Sequence, residues 1–534
     1  MDNKNKVRSL DVLVVGAGFA GIYLLQKLQG MGFSTRILEA ASGIGGTWFW
    51  NRYPGARCDV DNMFYSYSFD ENLDQEWEWT ERYPSQPEIL EYINHVADRF
   101  NLWPDIQLDT CVESAIYDHA NAKWLITTEK GEHFSARFCV MATGCLSAAN
   151  QPNFKGNKDF TGRVFHTGHW PADEIDFTGR RVGVVGTGSS AVQVIPEVAR
   201  QAVHLTVFQR TASYVVEAFN RPLDSTDQAH FRANHHELRE AAKKTFGGFT
   251  NVMNDQSALS VSESECRAKL EEGWKAGGNS LLVSFNDFAF SEDANFRAQN
   301  FVRDKIREAV HDPEIAEKLL PRHVIGCKRL CLGTDYYGTF NRENVTLIHL
   351  GDKGVEKTTE SGLVAENTEF PLDDLILATG FDAMTGALNK IHIQGRDDLT
   401  LRKAWEAGPR TYLGLMSEGF PNLFMVTGPG SPSVLSNMLP TIEHHVEWIA
   451  DCIGYLRGQK FEKIEADLQA QNRWVEHGNE IASRTLRYSC SSWYLGANIP
   501  GKPRVFMPYI GGMPSYRDKC AAVAANGYEG FRLT

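Results

Sequence analysis

Apolar residues along this chain are grouped into short runs, and several runs lead directly into a glycine-rich turn. Clear examples are residues 12–15, followed by Gly16, and residues 375–378. Runs of this length predict buried strands, whereas apolar residues recurring every three or four positions predict helices. The longest runs fall well short of the roughly 20 residues that a membrane span requires. The pattern therefore predicts a mixed α/β chain without a membrane segment.

One supersecondary pattern occurs twice, in residues 11–40 and again in residues 180–210. Each copy reads as an apolar strand, a glycine turn, an amphipathic helix and a second strand. A βαβ unit has this order and a length of about 30 residues. The two copies predict two dinucleotide-binding domains of the Rossmann type.

The stretch 221–321 differs, because it lacks strand-like runs and carries segments rich in Glu, Lys, Arg and Ala. Within it, Asp312 and Pro313 form a good helix start. Strand-like runs return at residues 345–350. We therefore predict an α/β fold of two Rossmann-like domains with a helical insertion. The predicted bounds are 1–150, completed by 385–534, for the first domain; 151–220, completed by 322–384, for the second; and 221–321 for the insertion.

The first glycine motif supplies the groups that hold a dinucleotide pyrophosphate. Gly16 permits the tight turn, Gly18 lets the backbone approach the phosphate, and Gly21 lets the helix pack against the sheet. Phe19 and Ala20 open that helix, whose N-terminus attracts negative charge. Glu39 ends the next strand, where an acid can accept from a ribose hydroxyl. We predict an FAD site here; the alternative is a glycine turn without a ligand.

The second glycine motif consists of Gly186, Thr187, Gly188, Ser189 and Ser190. The strand that follows its helix ends in Arg210 and Thr211 rather than in an acid. Arginine can pair with a 2′-phosphate through two hydrogen bonds, and threonine adds a hydroxyl donor. We predict an NADPH site; the alternative is that Arg210 is an ordinary surface residue.

Composition narrows the possible partners and the compartment. The net charge is −13 and the basic residues are scattered, which disfavours nucleic acid and gives no support for attraction to anionic membranes. The start of the chain has no secretory-leader pattern. Ten cysteines occur without a CxxC motif, so we expect free thiols in a reducing, cytoplasmic location.

The most specific motif lies upstream of the second unit, at residues 160–171. It contains Phe160, Gly162, His166, Trp170 and Pro171 in the spacing F-x-G-x-x-x-H-x-x-x-W-P. This pattern resembles the fingerprint of the Baeyer–Villiger monooxygenase family. The resemblance implies that His166 couples the two nucleotide domains without acting on the substrate.

The likeness extends over nearly the whole chain, through residues 45–59, 328–330, 428–433 and 492–498. It implies that FAD, NADPH and O2 convert ketones to esters or lactones through a C4a-peroxyflavin. The acid after the YPGA stretch and the arginine of the KR pair carry the oxygenation in that family; here they are Asp59 and Arg329. From the residues alone, Asp59 reads as a turn or cap acid and Arg329 as a surface cation.

The same resemblance implies further binding residues, and it predicts no metal. The additional cofactor-binding residues are Gly46, Thr47, Trp48, Trp50, Arg57, Cys58, Asp59, Tyr65, Val112, Gln193, Lys328, Arg329, Met438 and Trp493. The substrate-lining residues are Ser433, Val434 and Leu435. The chain departs from the family pattern at Thr47, Phe49 and Val434, so packing near the flavin and the substrate is expected to differ. The loop around residues 431–438 suggests aryl or medium-sized ketones.

Three other functions share some of these features. An N-hydroxylating or sulfoxidising flavin monooxygenase has both nucleotide motifs, but the tryptophan fingerprint and the KR pair argue against it. A pyridine-nucleotide disulfide reductase is disfavoured because no CxxC follows the first unit. A non-catalytic flavin sensor is disfavoured because no DNA-binding or receiver segment accompanies the motifs.

We expect a monomer or a weak homo-oligomer.

Overall fold

The structure is a computed structural model that describes residues 7–351 and 353–534. Residues 1–6, which begin the stretch predicted to carry no leader, lie outside the described residues, as does Asp352. Over the described residues, no helix is both long enough and apolar enough to cross a membrane.

Strands and helices alternate over most of the described chain. In chain order the strands β1 to β20 are Arg8–Val15, Thr35–Leu38, Ile106–Gln107, Val112–Asp118, Lys123–Thr128, His133–Met141, Arg163–His166, Arg181–Val185, His204–Gln209, Val215–Glu217, Cys331–Gly333, Val345–His349, Lys357–Thr358, Gly362–Ala365, Thr368–Pro371, Asp374–Leu377, His392–Gln394, Leu423–Met425, Ile464–Ala466 and Phe531–Leu533. The helices α1 to α15 are Phe19–Gly30, Thr47–Trp50, Glu71–Glu76, Gln86–Arg99, Ser189–Gln201, Ser225–Lys243, Glu263–Ala276, Glu292–Ala309, Pro313–Leu319, Tyr336–Thr339, Gly386–Lys390, Leu401–Ala404, Met438–Gln459, Leu468–Ser483 and Met513–Ala525.

The first large sheet has eight strands in the order β17-β4-β5-β6-β1-β2-β3, with β18 also paired to β6. Strands β6, β1, β2 and β3 run parallel, while β4, β5 and β6 are antiparallel. Val12, Leu13 and Val14 in β1 are fully buried, as expected for a parallel strand covered on both faces. The late strands β17 and β18 show that the C-terminal part of the chain returns to this sheet.

The second large sheet has five strands in the order β12-β9-β8-β16-β7, and every pair in it is parallel. Its strands come from residues 163–209 and 345–377, on either side of the helical stretch. Together the two sheets confirm the predicted α/β fold with two Rossmann-type domains.

Helices α6 to α9 occupy the stretch between the halves of the second sheet. Helix α9 begins at Pro313, and the Asp312 side chain accepts hydrogen bonds from the backbone N–H groups of Glu314 and Ile315, so the predicted helix start is confirmed. The chain enters this stretch after β10 and leaves it before β11, and these strands pair in parallel. This pairing positions Arg329, two residues before β11.

The expectation that all cysteines are free thiols was wrong. Cys327 and Cys490 form a disulfide across a sequence separation of 163 residues, and the other eight cysteines are free. Spacing along the chain carries no information on a contact between segments so far apart. Only the fold brings them together.

Candidate active site between the two nucleotide folds

The first glycine turn has the backbone geometry that a dinucleotide requires. A Cβ on Gly16, whose φ is +106°, would lie 2.6 Å from the carbonyl oxygen of Ala142. A Cβ on Gly21 would lie 1.9 Å from the carbonyl oxygen of Gly16. Helix α1 then starts at Phe19, with no side chain capping its N-terminal N–H groups. These donors are the groups that an FAD pyrophosphate accepts from.

Glu39 lies directly after β2 and is 6% exposed. Its Oε2 accepts from the Ala17 N–H at 2.6 Å, and its Oε1 accepts from the Ala41 N–H at 2.8 Å. Burial raises the pKa of this carboxyl, and the backbone hydrogen bonds oppose that shift. Each carboxylate oxygen keeps a further lone pair. Glu39 therefore braces the glycine turn and can still accept from a ribose hydroxyl, so the residues fit FAD.

The second glycine turn repeats this arrangement with one difference. A Cβ on Gly186, whose φ is +119°, would lie 2.4 Å from the carbonyl oxygen of Ala378. A Cβ on Gly188 would meet no protein atom within 4 Å. Helix α5 starts at Ser189 without a side-chain cap, and the Thr187 hydroxyl donates to the Thr211 carbonyl at 2.8 Å. The open space beside Gly188 fits a second pyrophosphate.

Two cations of this second fold are close enough to affect each other electrostatically. Arg210, directly after β9, is exposed, and Lys328 is partly buried. Burial and the positive charge of Arg210 both lower the pKa of Lys328. Two neighbouring cations are well suited to a phosphate dianion. Sequence reasoning placed both residues at the nicotinamide cofactor, and the structure brings them to one place.

The central feature is an ion pair between the two nucleotide folds. The Arg329 Nε and Nη2 atoms donate to the Asp59 carboxylate at 2.9 and 2.7 Å, and Nη2 also reaches the second oxygen at 2.8 Å. The Arg329 Nη1 donates to the Val434 carbonyl oxygen at 3.1 Å. The Asp59 charge, acting against burial, raises the pKa of Arg329. The guanidinium is therefore a fixed cation with a fixed orientation.

The surroundings of this pair are neutral and largely buried. Burial raises the pKa values of Cys58 and Tyr65, while the charge of Arg329 opposes the shift in each. The Trp48 Nε1 donates to the Tyr65 hydroxyl at 3.2 Å. Cys331 approaches the Ser189 hydroxyl, with 3.4 Å between Sγ and Oγ. The Arg329 segment thus contacts the start of α5 in the second nucleotide site.

The predicted substrate-lining residues form a short 3-10 turn at Ser433–Leu435. Ser433 and Val434 are buried, Leu435 is partly buried, and Ser433 has a positive φ of 41°. Val434 contributes its backbone carbonyl to Arg329, a role that does not depend on its unusual side chain. Met438 then begins α13. The turn therefore adjoins the guanidinium directly.

His166 lies between the two segments that cross from one sheet to the other. Its Nδ1 accepts from the Gly168 N–H at 2.9 Å, which leaves Nε2 to donate to the Asn150 carbonyl at 3.2 Å. The Thr379 hydroxyl also donates to that carbonyl, at 2.6 Å. Burial lowers the pKa of His166. The histidine is a neutral hydrogen-bonding link between the crossings.

Other predicted binding residues contact the first fold and its neighbours. The Trp50 carbonyl accepts from the Trp170 N–H at 3.1 Å, so the fingerprint contacts helix α2. Gln193 accepts from the Tyr53 hydroxyl at 2.8 Å and donates to the Arg57 carbonyl at 3.0 Å. These amide contacts join α5 to the first fold.

Several predicted residues have less specific surroundings. The Arg57 guanidinium pairs with Glu81 at 2.6 Å. Gly46 packs against Gly18, and a Cβ on Gly46 would lie 3.1 Å from the Gly18 Cα. Thr47 begins α2, and Val112 begins β4 and is buried. None of these contacts reaches the Arg329–Asp59 pair.

Two site residues escaped the sequence reasoning. Tyr53, within the stretch 45–59, holds Gln193 as described above. Tyr494 is buried; burial raises its pKa, and the charge of Arg329 is among those that oppose this shift. Its ring centre lies 4.3 Å from that of Trp493. Its position next to Trp493 in the chain was the available signal, but a tyrosine in such a segment is more often part of the core.

The described part of the chain lacks a cluster of side chains suited to a metal ion. Over residues 7–351 and 353–534, no group of three or more His, Cys, Asp or Glu side chains is placed to hold a metal ion. The site therefore combines the Arg329–Asp59 pair, the cations Arg210 and Lys328, and the hydrogen-bond donors of two glycine turns.

Comparison with known proteins extends this description to the whole chain. A family model described as pyridine nucleotide-disulphide oxidoreductase matches residues 13–267. Phenazine N-monooxygenase PhzNO1 of Lysobacter antibioticus is 41% identical over 99% of this chain and 98% of that protein. A Baeyer-Villiger monooxygenase of Pseudooceanicola batsensis is 42% identical over 97% of this chain and 95% of that protein. The solved structure of an oxidized steroid monooxygenase bound to NADP is 49% identical, covers 98% of this chain and 99% of that one, and has a TM-score of 0.94.

Proposed function

The chain belongs to the Baeyer–Villiger monooxygenase family, and on this premise we propose that its Arg329–Asp59 pair carries the oxygen insertion. Its activity is that of an NADPH-dependent flavin monooxygenase of the Baeyer–Villiger type. The overall reaction consumes a ketone, O2, NADPH and a proton, and yields an ester or lactone, water and NADP+. The position of the pair between the two dinucleotide cradles is the observation that supports this assignment.

Each of the two nucleotide folds would hold one cofactor at its glycine turn. Gly16, Gly18 and Glu39 would hold FAD, and Gly186, Gly188 and Arg210 would hold NADPH. When bound, FAD reduced by NADPH supplies activated oxygen; the protein positions the reactants and excludes water. Lys328 and Arg210 would receive the 2′-phosphate, and Trp493 would cover the nicotinamide.

Arg329 has the properties needed to stabilise negative charge on reacting oxygen. It cannot lose its proton, and Asp59 raises its pKa further. One Nη1 hydrogen donates to the Val434 carbonyl, and Nη1 carries a second hydrogen. That N–H can donate to the oxyanion that develops on the carbonyl oxygen as the new C–O bond forms. Asp59 fixes the plane of the guanidinium, so the donor is oriented before the reaction begins.

The substrate is proposed to be an aryl or medium-sized ketone, which would lie against the Ser433–Leu435 turn. Ser433 and Val434 in this turn are buried, Val434 and Leu435 supply two apolar side chains, and the Val434 carbonyl contacts Arg329. A panel of linear, cyclic and aryl ketones tests the proposal through NADPH consumption and product mass. Acid release of the bound flavin, followed by chromatography, tests whether it is FAD. Ketone-independent NADPH oxidation without ester from any ketone would contradict the function.

A second candidate is oxygenation of an aromatic nitrogen, because the phenazine N-monooxygenase relative is 41% identical along almost the whole chain. Oxygen transfer to a nitrogen lone pair requires an electrophilic oxygen, whereas attack on a carbonyl requires a nucleophilic one. The fixed cation Arg329 stabilises anionic oxygen and therefore favours the ketone reaction. Phenazines added to the same substrate panel distinguish the two by the mass of the product.

The cellular location and the oligomeric state complete the proposal. We propose a cytoplasmic location, since the reductant NADPH is regenerated inside cells, and a monomer or weak homo-oligomer. Cell fractionation and light scattering of the purified holoenzyme test these two points separately.

A further inference from the structure

The disulfide between Cys327 and Cys490 joins two irregular segments that each carry proposed cofactor residues. Cys327 immediately precedes Lys328 and Arg329, in the connection between α9 and β11. Cys490 lies three residues before Trp493, in the long connection between α14 and α15. The bond thus links the cationic segment directly to the segment that carries the tryptophan.

Few other interactions join residues 486–493, the first part of the segment that carries Trp493, to the helical stretch 221–330. Within the described residues, one hydrogen bond joins residues 486–493 to the helical stretch 221–330. The Leu486 N–H donates to the Ala289 carbonyl at 2.8 Å. The later part of the segment is anchored elsewhere. Asn498 donates to the Phe381 carbonyl at 2.8 Å, and Lys502 pairs with Asp382 at 2.5 Å. The disulfide is therefore the main link between residues 486–493 and the helical stretch 221–330.

The sulfur atoms differ in their access to solvent. Cys327 is 1% exposed, whereas Cys490 is partly buried and lies between the exposed residues Ser489 and Ser491. A small dithiol can reach Cys490 from this side. Its thiolate forms a new bond to the Cys490 Sγ while the Cys327 thiolate leaves, and its second thiol then releases Cys490. Two electrons pass from the dithiol, and the protein gains two thiols.

We propose that the Cys327–Cys490 bond is a redox-sensitive clamp. Closed, it holds the Trp493 segment against Lys328 and Arg329; reduced by a dithiol, it releases residues 486–493. A disulfide in a reducing compartment is more often redox-sensing than structural, which fits the proposed cytoplasmic location. The functional consequence rests on the proposed role of Trp493 at the nicotinamide. Release weakens NADP+ binding and lets NADPH oxidation proceed to hydrogen peroxide rather than to ester.

The expected loss of NADP+ affinity depends on the fraction of molecules in which the Trp493 segment is in its clamped position. If reduction lowers that fraction to about one tenth, the dissociation constant for NADP+ rises about tenfold. Binding of FAD should be unchanged, because Glu39 at the first glycine turn is hydrogen-bonded to Ala17 and Ala41 and not to either disulfide segment. Backbone amides of residues 488–493 should exchange faster with solvent in the reduced holoenzyme.

The experiment begins with the chemical state of the cysteines. Trypsin digestion of air-oxidised holoenzyme without reductant should yield a linked peptide that contains residues 323–328 and 488–504, and dithiothreitol should abolish it. NADP+ affinity, hydrogen exchange and peroxide yield are then measured before and after reduction and after reoxidation. Cys490→Ser should match the reduced wild type and not respond to dithiothreitol. Cys111→Ser, which removes a partly exposed free thiol, should keep the wild-type response.

Absence of the linked peptide, or reduction that leaves NADP+ affinity and exchange unchanged, would overturn the clamp. Because reduction acts on folded wild-type holoenzyme, this result does not depend on the folding of any variant. Failure of the proposed oxygenation is distinguishable, because it would appear as no ester from the oxidised protein as well. NADP+ affinity and exchange would still report on the clamp in that case.

Discussion

Arg329 and Asp59 are 270 residues apart in the chain, yet both terminal oxygens of the aspartate accept from the guanidinium, at 2.7 and 2.8 Å. The contact orients the arginine through its Nε and Nη2 atoms. The Nη1 atom is not part of this contact and donates to the Val434 carbonyl in the Ser433–Leu435 turn. The cation and the proposed substrate turn are thereby fixed relative to each other. This arrangement joins two residues from different folds into one hydrogen-bonded unit.

Replacing Asp59 with Ala should weaken oxygen insertion without abolishing it, because Arg329 keeps its charge but loses its orientation. We expect ester formation to fall about tenfold, or about 1.4 kcal/mol in activation free energy, and peroxide to rise. The ratio of ester to hydrogen peroxide formed by the purified variant measures the change, and its flavin content checks that FAD is still bound. An Asp59→Ala enzyme as impaired as one without Arg329 would show that Asp59 does more than orient its partner.

Replacing Arg210 with Ala should raise the NADPH Michaelis constant and leave that for NADH nearly unchanged, because only NADPH carries the 2′-phosphate. The loss of a charge-assisted hydrogen bond is worth about 1.5–3 kcal/mol. Steady-state kinetics with both cofactors measure the difference. Arg200→Ala, an exposed change on α5 in the same fold, serves as the control. Equal losses with both cofactors would show that Arg210 does not contact the 2′-phosphate.

Replacing Gly188 with Ala should impair NADPH binding without destabilising the fold. The added methyl group meets no protein atom within 4 Å, so it projects into the space proposed for the pyrophosphate. We expect at least a tenfold weaker NADP+ affinity, about 1.4 kcal/mol, with an unchanged melting temperature and full FAD content. Gly478→Ala, equally open but in α14, should leave NADP+ affinity and FAD content unchanged. Normal NADP+ affinity in Gly188→Ala would place the pyrophosphate elsewhere.

The protein should lose stability in mild acid partly through His323. Burial and the nearby cations Lys328 and Arg303 lower the pKa of this histidine from its ordinary value of 6.5 to about 4. The folded state therefore binds fewer protons than the unfolded state between these values, and stability that is complete above pH 6.5 is lost as pH falls towards 4. At pH 5 the loss is about 1–2 kcal/mol.

Urea unfolding at pH 7.5 and pH 5 compares wild type with His323→Gln, which should lose less stability on acidification. His119→Gln, a change at an exposed histidine, should behave as wild type. An identical pH dependence in all three proteins would contradict this assignment of the acid sensitivity.

The fold and the cofactor cradles could be predicted from sequence because their signals are local. Gly16, Gly186 and the apolar strands before them depend on backbone geometry within about 30 residues. Glu39 and Arg210 follow at fixed distances from those turns. The helix start at Asp312 was equally local, since the cap bonds only its own helix.

The contacts that complete the site are not local, and residue patterns alone could not give them. Asp59 and Arg329 read as ordinary surface residues until the family resemblance paired them. Neither the Val434 carbonyl nor the disulfide has any sequence signature, because each depends on where distant loops meet. The expectation of free thiols was wrong for this reason.

The most direct test of the central claim is the product balance of Arg329→Ala in its FAD-loaded form. NADPH oxidation, ester and hydrogen peroxide are quantified together with a reactive ketone, and flavin reduction is followed separately under nitrogen. Removing one preorganised donor to an oxyanion costs about 2.7–4 kcal/mol, a hundred- to thousandfold in rate. We predict that flavin is still reduced, that peroxide replaces ester, and that Arg329→Lys restores little because it lacks the planar fork. Ester formation by Arg329→Ala at near the wild-type rate would contradict the proposed mechanism.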